Sequence, residues 1–363
     1  AFEWLIWIMT ATELPELAEE EALTKQLREE RPDLAALSDA ELVTYVRRLY
    51  DEHFRQLFGQ HIYISTAVQI PLGIITQVCA AVGDPSLAMR LVAGLGDVES
   101  AAPSFVLWEL GRRVARSDGL TSEFDAGVPG LLDRLEGARG DGEVDTFLGA
   151  LAAFLREHGS RGPNEWDTTS HTWETRPELA LAAVDRMRLL DDGEAPDGHH
   201  AERVSDREAV AAEVAALLAG QPEVLEQFQQ ALASAAVFFP GRERSKTNAV
   251  RFIHETRVAL HELGRRMVAA GHFGQLDDFG MLLADELDDF LADPAAFTGT
   301  LRERRARYDE LAALEPPFVF AGEQPPVETW ERRDVDTEAV AAAGDVLTGI
   351  SGCPGQATGV ARV

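Results

Sequence analysis

The sequence predicts a mainly α protein, and three observations predict it. Apolar residues recur at helical spacing, helix-start signals recur along the chain, and no comparable run of strand-like alternation appears before about residue 348. The clearest start is Ser38-Asp39-Ala40-Glu41, a capping box with Ser38 as N-cap and Glu41 at N3. Leu37 and Leu42 flank it where a hydrophobic staple closes, and Tyr45, Val46 and Leu49 continue one apolar stripe through about Phe58. Residues 61–83 contain no Asp, Glu, Lys or Arg, a run long enough to span a bilayer. Gln69, Pro71, Thr76 and Gln77 interrupt it and no basic flank follows, so the expectation is a buried central helix and no membrane.

Further along, Asp84-Pro85 and Asp293-Pro294 each pair an N-cap with proline at the first helical position. Ser205-Asp206-Arg207-Glu208 reads as a second capping box, opening an alanine-rich helix that stops at Gly220. Pro222 starts the next helix, expected to end before Pro240-Gly241, and another is expected from Asn248 to about Ala270. Gly137 to Gly142 predicts a turn, and Asp191 to Glu202 a polar loop. The acidic run from Asp277 to Asp289, interleaved with Phe279, Leu282, Leu283 and Leu287, predicts an amphipathic helix with a solvated face. Pro316-Pro317 and Pro325-Pro326 bracket an extended connector, after which Asp336 to Asp345 suit one short helix. From Leu347 to Val363 the pattern changes to glycine turns beside strand-like alternation. The expected division is a helical domain, 1–335, and a segment, 336–363, holding a linker and the first strand of an incomplete second domain.

Composition narrows the function. Lys plus Arg number 33 against 62 Asp plus Glu, a formal charge of −29, which repels nucleic-acid phosphates and anionic lipid over most of the surface. The two cysteines, Cys79 and Cys353, match no metal spacing, and so sparse a pair suits a reducing, cytoplasmic setting. The opening residues carry Glu3 and no basic region, unlike a secretory signal, and the chain reads as a piece of a longer protein.

Within Pro240-Gly241-Arg242-Glu243-Arg244-Ser245-Lys246, Arg242 and Lys246 are four apart and share a helix face, with Glu243 three from Lys246. Two cations can stabilise a phosphoryl group in transfer, and a carboxylate can orient or deprotonate the accepting hydroxyl. The same residues also suit an ordinary solvated helix-start ion pair. A P-loop is excluded, because Pro240 and Ser245 stand where glycines would be needed. In Gly159 to Asp167, Arg161 has Glu165 and Asp167 nearby, and a turn held by an arginine-carboxylate pair is the simplest account. His254 and His261 share a helix face with Arg257 between them, which favours helix packing over a metal site. His158, His171, His199 and His200 lie in or beside loops, where exposure is the expectation.

Three segments, in this order, resemble the middle of the phosphoenolpyruvate synthase-like family that includes rifampin phosphotransferase. They are the Gly-x-Arg-Gly-x-x-Glu-x-Asp loop from Gly159 to Asp167, the Arg-Glu-x-x-Lys turn of Arg242, Glu243 and Lys246, and Leu263-Gly264-Arg265-Arg266 leading through Gly271 to Asp278-Phe279 and Asp285-Glu286-Leu287. The tail from Leu347 to Val363 is similar to the first strand of that family's phosphohistidine swivelling domain. The loop departs from the family pattern, keeping only the tryptophan of a Pro-Arg-Trp sequence in Ser170-His171-Thr172-Trp173, and no Gly-Gly-x-x-Ser-His carrier segment occurs.

The resemblance implies a helical substrate-binding domain of a phosphotransferase. Such a domain receives a phosphoryl group from a phosphohistidine domain and passes it to a small-molecule acceptor. Arg242, Glu243 and Lys246 would be its catalytic residues, with Arg242, Lys246 and Gln69 contacting substrate in a pocket walled by helices including Ile62 to Val82. Arg161, Glu165 and Asp167 would shape the neighbouring loop. No cofactor or metal is expected on this chain; ATP and Mg belong to the full-length enzyme, whose ATP-grasp and phosphohistidine domains lie on the same or a separate chain. Alone, the segment would be inactive. The alternative is a non-catalytic ligand-binding or regulatory module that keeps only the scaffold.

Overall fold

A computed structural model of the chain describes residues 2–95, 97–195 and 197–333, excluding the side chains of 97–101 and 197–202. The segment 336–363, with its expected helix and strand, and Cys353 lie outside the described residues. The fold is mainly α, as the sequence predicts. The first helices are α1 (Phe2–Thr10), α2 (Pro15–Glu29), α3 (Asp39–Ala67), α4 (Gln69–Ala81) and α5 (Leu87–Val92). A satellite group follows: α6 (Asp97–Ala115), α7 (Asp118–Asp125), α8 (Leu131–Gly137), α9 (Gly142–His158) and α10 (Glu178–Arg188). The chain returns through α11 (Asp197–Leu217), α12 (Pro222–Ala269), α13 (Leu287–Ala292) and α14 (Pro294–Ala312). Two short strands, β1 (Leu314–Glu315) and β2 (Glu331–Arg332), pair antiparallel and close the proline-bracketed connector.

The Ser38 capping box forms as expected, with Ser38 Oγ accepting from Glu41 N and a Glu41 carboxylate oxygen accepting from Ser38 N. Leu42, Tyr45 and Leu49 bury against Phe252, Leu263 and Phe290. Asp293 caps α14, Pro222 opens α12, and the Gly137 to Gly142 turn separates α8 from α9.

Helix α12 organises the rest. Its 48 residues extend about 70 Å at the α-helical rise of ~1.5 Å per residue. It packs along α2, α3 and α4 and contributes to three of the apolar clusters, while the fourth is built from α6 to α10 with Trp173 packed against it.

Four expectations are corrected. The helix from Pro222 does not stop at Pro240: it continues to Ala269. Proline removes one hydrogen bond there, but Phe238 and Gly241 on either side are fully packed against α1, α2 and the end of α3. A Cβ at Gly241 would lie 2.4 Å from Leu14 Cδ1, so a larger residue there would require the Leu14 side chain to shift. Ser205 is likewise no cap, since α11 starts at Asp197. The neighbouring polar side chains serve tertiary contacts, Asp206 accepting from Arg90 Nε at 3.0 Å and Arg207 Nη1 donating to Ala93 O at 3.1 Å.

The acidic run is not one helix but two 3-10 turns, Leu276–Met281 and Ala284–Glu286, followed by α13. Its carboxylates bind the backbone locally and pair with α14. Asp278 accepts from Gly274 N, Gln275 N and Arg305 Nε, and Glu286 accepts from Leu283 N and Arg304. The apolar run 61–83 is not a single buried helix either. It breaks at Val68 between α3 and α4 and buries one face through Ile64, Ile75 and Cys79, leaving Ile62 and Tyr63 exposed. By length and composition alone the stretch Asp39–Ala81 could cross a membrane.

Candidate functional site

Two segments far apart in the sequence meet at Glu165. In the turn after α9, Arg161 Nε donates to Glu165 Oε2 at 2.6 Å, the staple the sequence suggests. From α12, Lys246 Nζ reaches the other oxygen, Oε1, at 2.9 Å. The carboxylate partner of Lys246 is therefore Glu165, while Glu243 pairs with its own neighbour Arg242. The turn is held from beneath by Arg257, a fully buried side chain whose Nη2 donates to Glu165 O at 2.6 Å and Asp167 O at 3.0 Å. Burial lowers the Arg257 pKa to about 10, the charges of Asp167 and Glu165 opposing the fall, so the guanidinium remains cationic at neutral pH. Asp167 Oδ1 accepts from Thr169 N and Oγ1 and shapes the turn.

The unbroken helix places Arg242 and Lys246 one turn apart, and His61 from α3 stands close enough for both charges to act on it. His61 Nδ1 lies 3.1 Å from Ser245 Oγ, and Ser245 Oγ donates to Arg242 O at 2.9 Å. With its one proton committed, Ser245 can only accept from His61. That puts the imidazole proton on Nδ1 and leaves the lone pair on Nε2. Burial, reinforced by Arg242 and Lys246, lowers the His61 pKa below its ordinary 6.5, so the ring is neutral near pH 7.

An aromatic ladder runs up to this point. Tyr50 and Phe54 stack at 4.2 Å and Phe54 and Phe58 at 5.0 Å, residues four apart on one face of α3. Trp166, from the turn, lies edge-on 5.8 Å from Phe58 and tilted 5.2 Å from His61. Tyr50 and Trp166 are partly open to solvent. Arg242 is 44% exposed and Lys246 25%, so the cations border an open face. Gln69 sits exposed at the start of α4, and no hydrogen bond among the described residues joins it to the cations.

Behind the face lies a charge network linking α2, the loop and α12. Glu174 accepts from Arg28 and Arg31, each at 2.6 Å, and lies 2.8 Å from His254 Nε2; Arg31 also pairs with Glu255. Burial alone would raise the Glu174 pKa, but His254 and Arg31 hold it well below the usual carboxylate range. His254 and His261 are buried in helix packing, and burial pushes His261 down to about 4. His158 and His171 are partly buried, not exposed, because the turn folds back over α9 and α12.

Sequence reasoning missed His61, Trp166 and Arg257. The four-residue aromatic spacing at positions 50, 54 and 58 leads towards His61 and was a usable signal; nothing in the sequence tied Arg257 to the carbonyls of a loop some 90 residues away.

Comparison with known proteins gives the family of the chain. A profile of the rifampicin phosphotransferase fourth domain matches residues 60–243, about half of the chain. Uncharacterized proteins of Mycobacterium tuberculosis and Mycobacterium bovis are 31% identical over 222 residues, 61% of this chain. The match spans 22% of those relatives' own length.

Proposed function

Because this chain belongs to the rifampicin phosphotransferase family, we propose that its α3 and α12 face is where a phosphoryl group, delivered on a histidine of another domain, meets a small hydroxyl-bearing acceptor. The observation that carries this reading is the grouping of Arg242, Lys246 and the neutral His61 at the end of an aromatic ladder. Arg242 and Lys246 offer positive charge to the phosphoryl oxygens, fixed in place before the group arrives. Glu243, beside Arg242, orients the acceptor hydroxyl, and His61 Nε2 has the lone pair to take its proton. Trp166 and Phe58, set edge to face, provide an apolar corner for the acceptor's body, with Gln69 at the start of the next helix. ATP and Mg act on other domains of the full-length protein, so this segment alone is inactive.

One observation favours the alternative of a binding module without chemistry: each cation already has a carboxylate partner, Lys246 with Glu165 and Arg242 with Glu243. Lys246→Ala in the full-length protein separates the two. With rifampicin and simpler phenols as trial acceptors, transfer should fall by about a hundredfold or more while ATP-dependent phosphorylation of the carrier histidine is unchanged. Transfer that survives intact in a variant with a normal melting curve would remove Lys246 from the chemistry, whereas no transfer by the unaltered protein from a phosphorylated carrier histidine would favour the binding module.

A further inference from the structure

On another side of α12 the protein holds a cleft of about 370 Å³ between α2, the end of α9 and α12. Five cationic side chains line it, Lys25, Arg28, Arg156, Arg244 and Arg251, against the carboxylates of Glu21, Glu157 and Glu255. A local cationic excess is notable in a chain whose formal charge is −29. A second concavity of about 620 Å³ shares Lys25, Arg28, Arg156 and Glu157 with it, so the cationic surface is continuous.

Several of these charges are already positioned. Arg251 donates to Glu157 at 2.6 Å, Arg244 to Glu21 at 2.7 Å and Arg28 to Glu174 at 2.6 Å, while Glu255 is held by Arg31. Arg156 is exposed, and Lys25 has only a loose pairing with Glu29 at 3.9 Å. At the inner end stands Asn248. It is fully buried, lines the cleft and lies beside the Glu20 carboxyl, on which its side chain acts; beyond that neighbour neither its amide nitrogen nor its amide oxygen has a hydrogen-bond partner among the described residues. An unmade pair of this kind costs stability unless a ligand completes it.

We propose that this cleft is a second small-molecule site, for a hydroxylated phosphate ester. The phosphate would sit among Lys25, Arg28 and Arg156, where charge-assisted bonds are strongest. The hydroxyl would meet Asn248, because the amide oxygen needs a donor that the dianionic phosphate group of an ester lacks and the amide nitrogen needs an acceptor. The site lies on different residues of α12 from Arg242 and Lys246 and does not depend on their role.

Calorimetry and thermal melting of the 363-residue chain test it, with glycerol 3-phosphate, inorganic phosphate and glycerol as probes. Glycerol 3-phosphate should bind saturably, inorganic phosphate more weakly and glycerol not at all. The double variant Lys25→Ala, Arg156→Ala, both on the outer rim, should lose about tenfold or more in affinity, as expected for losing charged hydrogen bonds. Asn248→Leu, folded as judged by a cooperative melting curve, should erase the preference for the ester over inorganic phosphate. Absence of saturable binding, equal binding by the rim variant, or a folded Asn248→Leu protein that keeps the preference would each overturn the proposal.

Discussion

The two halves of α12 are built on opposite principles. From Pro222 to Pro240 its buried residues are mostly apolar or small, Phe228, Ala231, Ala235 and Phe238, with Ser234 bonding to Ile8 O. From Gly241 onward it buries Ser245, Asn248, His254, Glu255, Arg257 and His261 among its apolar contacts. Apolar burial needs only volume and tolerates exchange, whereas buried polar groups need particular partners at particular angles. The first half is scaffold; the second fixes a loop and presents charge. That difference teaches where to look for chemistry in a long helix: in the half whose interior is polar.

The largest effect should separate the halves directly. Arg257→Met keeps volume but removes the donors to Glu165 O and Asp167 O, and should destabilise the protein by about 3–5 kcal/mol, the range for breaking buried charged interactions. Hydrogen exchange should rise across residues 159–173 before the rest unfolds. Phe228→Leu in the other half should cost about 1–1.5 kcal/mol and leave that loop protected. Equal loop protection in both variants would erase the distinction.

Next in size is acid sensitivity. His61, His158, His171, His254 and His261 all have pKa values below the ordinary 6.5, burial being the first cause in each. Below 6.5 the unfolded chain takes up protons that the folded one resists, so stability falls as pH drops from about 6.5 and is regained on raising it. Urea titrations at pH 7.5 and pH 5 should show the loss, with exchange increasing first around Gly241 to Ala269. A midpoint independent of pH over that window would contradict the burial of these rings.

The smallest effect concerns Glu20, buried beside Asn248. Burial raises its pKa to about 7, the Asn248 side chain pulling the other way. A raised carboxyl pKa weakens the fold as pH climbs from about 4.5 through 7, because the unfolded chain ionises first. Glu20→Gln should melt a few degrees higher at pH 8 and no differently at pH 4. A gain at both pH values would point to packing instead.

Much of the fold was legible from local chemistry. Ser38 and Asp293 mark helix starts through contacts within one turn, and those contacts form, while Pro222 marks another through its fixed φ. Pro240, Ser205 and the acidic run misled because distant partners decide their geometry: Leu14 against Gly241, Arg90 against Asp206, and Arg304 and Arg305 against Glu286 and Asp278. At the candidate site, the spacing of Arg242 and Lys246 gave their shared face, but the meeting of Lys246 with Arg161 through Glu165 spans some 80 residues and leaves no periodic trace.

Pro240 has one more consequence. It lacks the proton that would tie it to Ala236 O, so one rung of the backbone ladder is missing in the turn before Arg242. Neighbouring elements make up for that rung from outside: Phe238 and Gly241 seat against α1, α2 and α3, and Ser245 meets His61. The alignment of the two cations with the imidazole is thus a property of the whole bundle, as a beam with a notch keeps its line when it is clamped on both sides of the cut.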